Sequence, residues 1–314
     1  MRETVHALTG ARLNLQRISA AEARSQALGF SPRREWIDWF SLQTNLVIDL
    51  PGQSDRLIYL VAHLDKTDIN PLKVASELVN GALDEPIGLT FAGEGALDDA
   101  SGVAVVLDAA RVLRERPLRH HVRVLLTGSE ESGLRGARAH VARLGSDEFS
   151  RIDAVLNVDS VGKAGSGTCL VPGLGSRDLV ALADRAALEL GLELKKEQLW
   201  GVAGDHEAFA STSFLDDFLR GTTFSFVGGL LPQRSWFTSP KKTAAVAFTS
   251  CGLLDAGDLL SSVLLLPVGQ LHGPRDNAAA IDPARLTEAS QLVERLAVLV
   301  DERERPEKVA AALQ

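Results

Sequence analysis

The sequence predicts an α/β protein, a three-layer αβα sandwich whose central, mixed and mostly parallel β-sheet is covered by helices on both faces. Two observations carry this prediction. Runs at 57–62, 122–128 and 154–158 are almost continuously apolar, as strands buried on both faces are. Segments of helical period alternate with them, which is the pattern of a parallel sheet built by crossovers.

Taken in order, Ser19-Ala20-Ala21-Glu22 reads as a capping box opening a short helix that Gly29 stops. A second helix is expected from Ser31-Pro32, with Trp36, Ile37, Trp39 and Phe40 as packing residues. Residues 45–50 and 57–62 read as two strands with a turn at Pro51-Gly52, and the second delivers His63. A long connection, 67–97, holds Pro71, Gly81, Pro86, Gly88, Gly93 and Gly95, with a helix expected around 72–78.

Beyond Asp98, Val103, Val106, Leu107, Ala110 and Leu113 line one face of a helix over 102–116. The strand at 122–128 leads into Glu130-Glu131, 134–144 reads as helix, and the strand at 154–158 ends at Asp159. An amphipathic helix over 176–190 stops at Gly191. Strands are expected at 244–249 and 263–267. In the last helix Asp282 caps, Pro283 takes the first position, and Leu286, Ala289, Val293, Leu296 and Val300 form the buried stripe. No linker or repeat divides the chain, so residues 1–314 read as one domain, with a helical segment over 1–44 and insertions near 67–97 and 210–270.

With 45% apolar residues in 314, the chain can bury a sizeable core. A formal charge of -8 argues against nucleic acid or an anionic membrane as partner, because either needs a basic face. No stretch approaches the ~20 apolar residues of a membrane span, and the first residues lack the apolar core of a signal peptide, so a cytoplasmic location is expected. Cys169 and Cys251 are too few for a thiolate zinc site and read as free thiols.

His63, Glu130-Glu131, Asp159 and His272 each follow an expected strand, and Asp98 precedes a helix. In a parallel sheet the strands' carboxyl ends share one edge, so these residues can converge. Two histidines and several carboxylates suit Zn²⁺ and accept Mn²⁺ or Co²⁺. For two dications about 3.5–4 Å apart a bridging carboxylate offsets their repulsion, and Asp98 is the candidate. Of the adjacent glutamates, one can bind metal while the other takes a proton from activated water.

The motifs AHLD (62–65), GALDDASG (95–102), SEESGLRGA (129–137), NVDSVG (157–162) and LHGPRDN (271–277) resemble, in order, those of the M28 family of zinc aminopeptidases. The resemblance implies the zinc-exopeptidase fold and two zinc ions. His63 and Asp159 would serve one ion, Glu131 and His272 the other, with Asp98 bridging, Glu130 as general base and Asp65 orienting His63. It further implies a cis peptide after Asp98 and hydrolysis of peptides at a free amino terminus. Asp205-His206 resembles a Ser-Asp-His motif of the family with Gly204 in place of serine, and reads as pocket wall, with a ligand role as the alternative. The alternatives are a glutaminyl-cyclase-like acyltransferase with one zinc and a non-catalytic binding protein on the same scaffold. Oligomeric state is open. His120 and His121 are expected in solvent, His140 on a surface helix, and Asp99, Asp108 and Asp153 as ordinary surface or capping acids. Asp68, Asp84 and Glu85 read as exposed loop acids.

Overall fold

A computed structural model describes residues 1–38, 42–67, 93–173, 176–197, 204–210, 243–253 and 270–303. The helix expected at 72–78, the strand expected at 263–267, Trp39, Phe40, Asp68, Asp84 and Glu85 lie outside the described residues.

Eight strands form one mixed sheet in the order β1-β2-β4-β3-β5-β8-β6-β7. They are β1 (Arg33–Trp36), β2 (Thr44–Leu50), β3 (Leu57–His63), β4 (His121–Thr127), β5 (Ile152–Val158), β6 (Thr168–Pro172), β7 (Lys195–Lys196) and β8 (Ala245–Ser250). The four central strands β4, β3, β5 and β8 run parallel, flanked by antiparallel β2 on one side and antiparallel β6 on the other. β3 is buried at every position, which is why its run LIYLVAH lacks polar alternation.

The turn at Pro51-Gly52 does not make a hairpin. β4 lies between β2 and β3, and the connection crosses its start, where a Cβ on Gly52 would sit 2.2 Å from the His120 carbonyl oxygen.

Helices cover both faces. On one, α1 (Arg2–Thr9), α2 (Asn14–Ala27), α3 (Ser101–Arg114), α6 (Arg177–Leu190) and α8 (Pro283–Glu302) pack on Leu46, Ile48, Ile58, Leu60, Val124 and Leu156. The other face, Val47, Tyr59, Val61, Leu125 and Val155, is closed by Leu144, Phe149 and Phe209, which bring in α4 (Arg135–Arg143), α5 (Ser146–Ser150) and α7 (His206–Ala210). The period-two alternation along β3 thus splits its side chains between two cores.

Several expectations are corrected. α2 begins at Asn14, not Ser19; the Gln16 side chain accepts from the backbone nitrogens of Arg12 and Leu13, and Ser19 lies inside the helix with its hydroxyl on the Leu15 carbonyl. The segment after Ser31-Pro32 is strand β1 rather than helix, because pairing from Arg33↔Val47 to Trp36↔Thr44 satisfies its backbone, so the stretch before residue 44 is not wholly helical. Cys169 and Cys251 form a disulfide, as β6 and β8 run side by side and bring their Cα atoms to 4.9 Å.

His120 is buried, its Nδ1 2.8 Å from Asp301 and its Nε2 2.8 Å from Asp153, tying α8 to the start of β4. The His121 Nδ1 accepts from the Gly52 nitrogen. His140 is also buried, between the Tyr59 hydroxyl and Glu35. Asp99 is fully buried. Asp108 accepts from the Ser290 hydroxyl, and Asp153 pairs with Arg56. The Asp282 cap and Pro283 stand as expected, with the Asp282 carboxylate accepting from the Ala284 nitrogen.

Candidate metal centre

The carboxyl ends of β3, β4 and β5 lie side by side, and each delivers acids or a histidine to the same edge of the sheet. His63 is the last residue of β3, with its backbone nitrogen donating to Asp99 Oδ2. Its Nδ1 lies 3.1 Å from the Asp65 main-chain oxygen, which fixes the ring and leaves Nε2 facing inward. That Nε2 is 2.9 Å from Asp98 Oδ1 and 3.7 Å from Asp159 Oδ1.

His272 approaches from the far end of the chain, in a left-handed backbone conformation with φ 55°. Its Nε2 is 3.0 Å from Asp98 Oδ2 and 3.1 Å from Glu131 Oε1. The two oxygens of Asp98 therefore face two different histidines, each with a further carboxylate beside it.

Asp98 sits in the turn Ala96–Ala100 that opens α3, and the Asp98-Asp99 peptide is cis. Asp276 braces this turn: its carboxylate accepts from the backbone nitrogens of Leu97 and Asp98. Asp99 accepts from three backbone nitrogens, His63, Gly102 and Ser160, so it joins the segments that carry His63, Asp98 and Asp159. A cation could be held by His63, Asp98 and Glu131, or by His63, Asp99 and Asp159, whose donor atoms lie within 4.8 Å of one another. Because both Asp99 oxygens are already engaged by backbone nitrogens, Asp98 is the better partner for His63 and Asp159.

Fit to a metal can be judged from the donors. Glu131 Oε1 is buried without a hydrogen bond although His272 Nε2 is 3.1 Å away. Imidazole nitrogens and carboxylate oxygens gathered 2.9–3.7 Å apart around Asp98 are a set that a borderline cation satisfies. The group Cys169, Glu197 and Cys251 does not qualify, since both sulfurs are bonded.

Burial opposes protonation of His272, but the charges of Glu131 and Asp98 outweigh it and hold the imidazole up at about 10. His63 is likewise raised against burial, by Glu130, Asp159, Asp65 and Asp98. Burial, reinforced by Asp205, Asp159 and Glu131, holds the Glu130 carboxyl well above the ordinary range despite His63. Burial also raises Asp205 to about 7, against the hydrogen bond from Thr127. That bond places Asp205 at the end of β4, and His206 is buried beside it.

Asp65 meets His63 Nδ1 with its main-chain oxygen at 3.1 Å and its carboxylate at 3.6 Å, while its carboxylate oxygens also accept from the backbone nitrogens of Glu130 and Glu131. Sequence reasoning missed Asp99, Asp276 and Arg17. Asp99 and Asp276 lie inside motifs already singled out, but only their burial separates them from ordinary acids. Arg17 is fully buried and donates to the carbonyls of Leu64, Glu94 and Gly95, while Lys66 Nζ donates to the Gly93 carbonyl and the Lys66 main chain exchanges hydrogen bonds with the Asn14 side chain.

Residues 45–217 match Peptidase family M28, more than half of the chain. The chain belongs to this family. An aminopeptidase of Pseudomonas aeruginosa is similar to this M28 peptidase, with 32% identity over 141 residues, 45% of this chain and 25% of that protein. The match thus spans only about a quarter of that relative's length. Among solved structures, the M28 peptidase is similar in fold to a zinc aminopeptidase from Bacillus subtilis (TM-score 0.56, 20% identity, 84% of this chain and 52% of that one). It is also similar in fold to an Acidobacteriales glutaminyl cyclase (TM-score 0.61, 18% identity, 96% and 92%).

Proposed function

We propose that this M28 peptidase is a di-zinc aminopeptidase, a single catalytic unit that removes residues from peptides with a free amino terminus. The observation that carries the reading is Asp98, whose two oxygens meet His63 on one side and His272 on the other. His63 and Asp159 with one oxygen of Asp98 would hold one zinc, and His272 and Glu131 with the other oxygen the second. The zinc named for a Bacillus subtilis relative of the same fold supports the choice of metal, and the donor set also accepts Mn²⁺ or Co²⁺.

When bound, zinc supplies Lewis acidity toward the scissile carbonyl and lowers the pKa of water. Glu130, buried beside Glu131, accepts the proton of the attacking water and returns it to the leaving amine. The surrounding carboxylates give the site a negative field that favours the substrate's ammonium group.

The test is metal content per chain together with hydrolysis of a panel of aminoacyl chromogenic substrates. Two zinc ions and turnover of free-amine substrates are expected. One zinc with no hydrolysis would replace the reading with the cyclase chemistry of the shared fold. Glu130→Gln should keep both metals and lose about 10²–10⁴-fold in kcat; near-normal turnover would remove Glu130 as the base.

The Cys169–Cys251 bond favours an oxidising compartment over the cytoplasm expected from the sequence. Among the described residues no helix is long and apolar enough to cross a membrane.

A further inference from the structure

The turn that carries Glu130 leaves the sheet at the end of β4 and, among the described residues, pairs with no strand. Its successive backbone nitrogens, from Gly128 to Glu131, would be orphaned in the interior without other acceptors. Each finds a side-chain oxygen. Gly128 donates to Asn45 Oδ1 at 3.1 Å, Ser129 to Gln43 Oε1 at 3.1 Å, Glu130 to Asp65 Oδ1 at 3.0 Å and Glu131 to Asp65 Oδ2 at 3.2 Å. On the other side, the Glu130 carbonyl accepts from Gly133 at 3.0 Å and Leu134 at 2.8 Å.

Gln43 and Asn45 are themselves buried, at 2% and 0% exposure. The Asn45 amide is fixed at its other end, donating to the Gly136 carbonyl at 2.9 Å and to Glu35 at 3.1 Å. The turn fits this cradle closely: a Cβ on Gly128 would lie 3.1 Å from Gln43, and one on Gly136 would lie 2.4 Å from Asn45 Oδ1. Ser129 is held at φ 55°, a left-handed conformation that serine rarely adopts and that the surroundings must maintain. The residue before Gln43, Leu42, is also left-handed, at φ 52°.

We infer that Gln43 and Asn45 are positioning residues for Glu130: with Asp65 they form a side-chain cradle that fixes the Ser129–Glu130 peptide and so the direction of the Glu130 carboxylate. This inference rests on the reading of Glu130 as the base. Neither residue touches the donor atoms grouped around Asp98, so removing the cradle displaces Glu130 without removing a ligand. Gln43 is the cleaner probe because its hydrogen bond to the turn is accepted at the strained residue, while a side chain of equal bulk keeps the packing on Gly128.

The experiment compares Gln43→Met, which keeps the bulk and removes the acceptor, with Gln43→Glu, which restores an acceptor oxygen. Both are measured in the zinc-loaded chain for kcat, KM, metal content and the pH profile of kcat, and for amide hydrogen exchange over residues 128–131. In Gln43→Met, kcat should fall about 10–100-fold, as for a catalytic group misplaced by about 1 Å. KM should stay within about two-fold, both zinc ions should remain, and the acid limb of the pH profile should move. Exchange at Ser129 should accelerate, and Gln43→Glu should recover activity and protection together.

Wild-type kcat in Gln43→Met overturns the inference. So does a loss of kcat accompanied by loss of zinc, which would mean that the residue supports the ligands rather than the base. If the zinc-loaded wild type hydrolyses no free-amine substrate, the aminopeptidase reading has failed; the exchange measurement then decides the cradle alone, unchanged protection in Gln43→Met overturning it and faster exchange supporting it.

Discussion

At the scale of single residues, His272 carries the most direct consequence. Its imidazole is held at about 10, so in the metal-free chain it is protonated at neutral pH, whereas a zinc ligand must offer a bare nitrogen. Zinc binding at pH 7 should therefore release at least one proton, and that release should fade as the pH is raised through about 10. Calorimetry in buffers of different ionisation heat measures it directly. Heats that do not depend on the buffer would contradict the assignment of His272 as ligand. The same reasoning makes zinc affinity weaken as the pH falls, because protons then compete for the imidazole. Asp98 has the opposite problem and solves it with the same partners: burial disfavours its charge, but the two imidazoles on its oxygens hold it far below the usual carboxylate range. Backbone conformation is also unusual here. Ser129 beside Glu130, Ser160 beside Asp159 and His272 itself all sit in the left-handed region, where strain gathers at functional sites.

At the scale of elements, α4 begins one residue before Gly136, where the helix meets the turn that bears Glu130. A methyl group there would come within 2.3 Å of the Gly128 carbonyl oxygen, a backbone atom that cannot move freely. Gly136→Ala should lower stability by about 1–3 kcal/mol through overpacking, measured by chemical denaturation; an unchanged midpoint would mean that helix and turn can separate at little cost. The central strands were legible in the sequence because burial on both faces forces an unbroken apolar run, and α8 because Asp282, Pro283 and its stripe state a helix locally. β1 was not legible: an edge strand needs no apolar run, and its aromatic spacing imitates a helix. Five of the acids and histidines around Asp98 could be brought together from their places after strands, whereas Asp99, Asp276 and Arg17 could not, since their work is done through main-chain hydrogen bonds that leave no pattern in composition. His120 and His140 were misread for another reason. Their partners, Asp301 and Asp153 for one, Tyr59 and Glu35 for the other, come from distant parts of the chain.

At the scale of the whole molecule, the donor groups come from positions 63 to 272, so the site exists only when the sheet is complete. The disulfide joins residues 82 apart in sequence across β6 and the end of β8. By restricting the unfolded chain it should contribute about 2–4 kcal/mol. Reductant should lower the denaturation midpoint of the wild type and leave that of a Cys169→Ser, Cys251→Ser double variant unmoved; equal midpoints with and without reductant would assign the bond no stabilising part. The hold of Arg17 and Lys66 on the carbonyls on either side of residues 67–92 has a further consequence. His63 and Asp98 receive their positions from the closed neck and not from the length of chain between its sides. Doubling such a connection adds only about 0.6 kcal/mol of closure entropy. Changes of length between the two sides of the neck should therefore leave His63 and Asp98 in place for as long as Arg17 and Lys66 keep their hold.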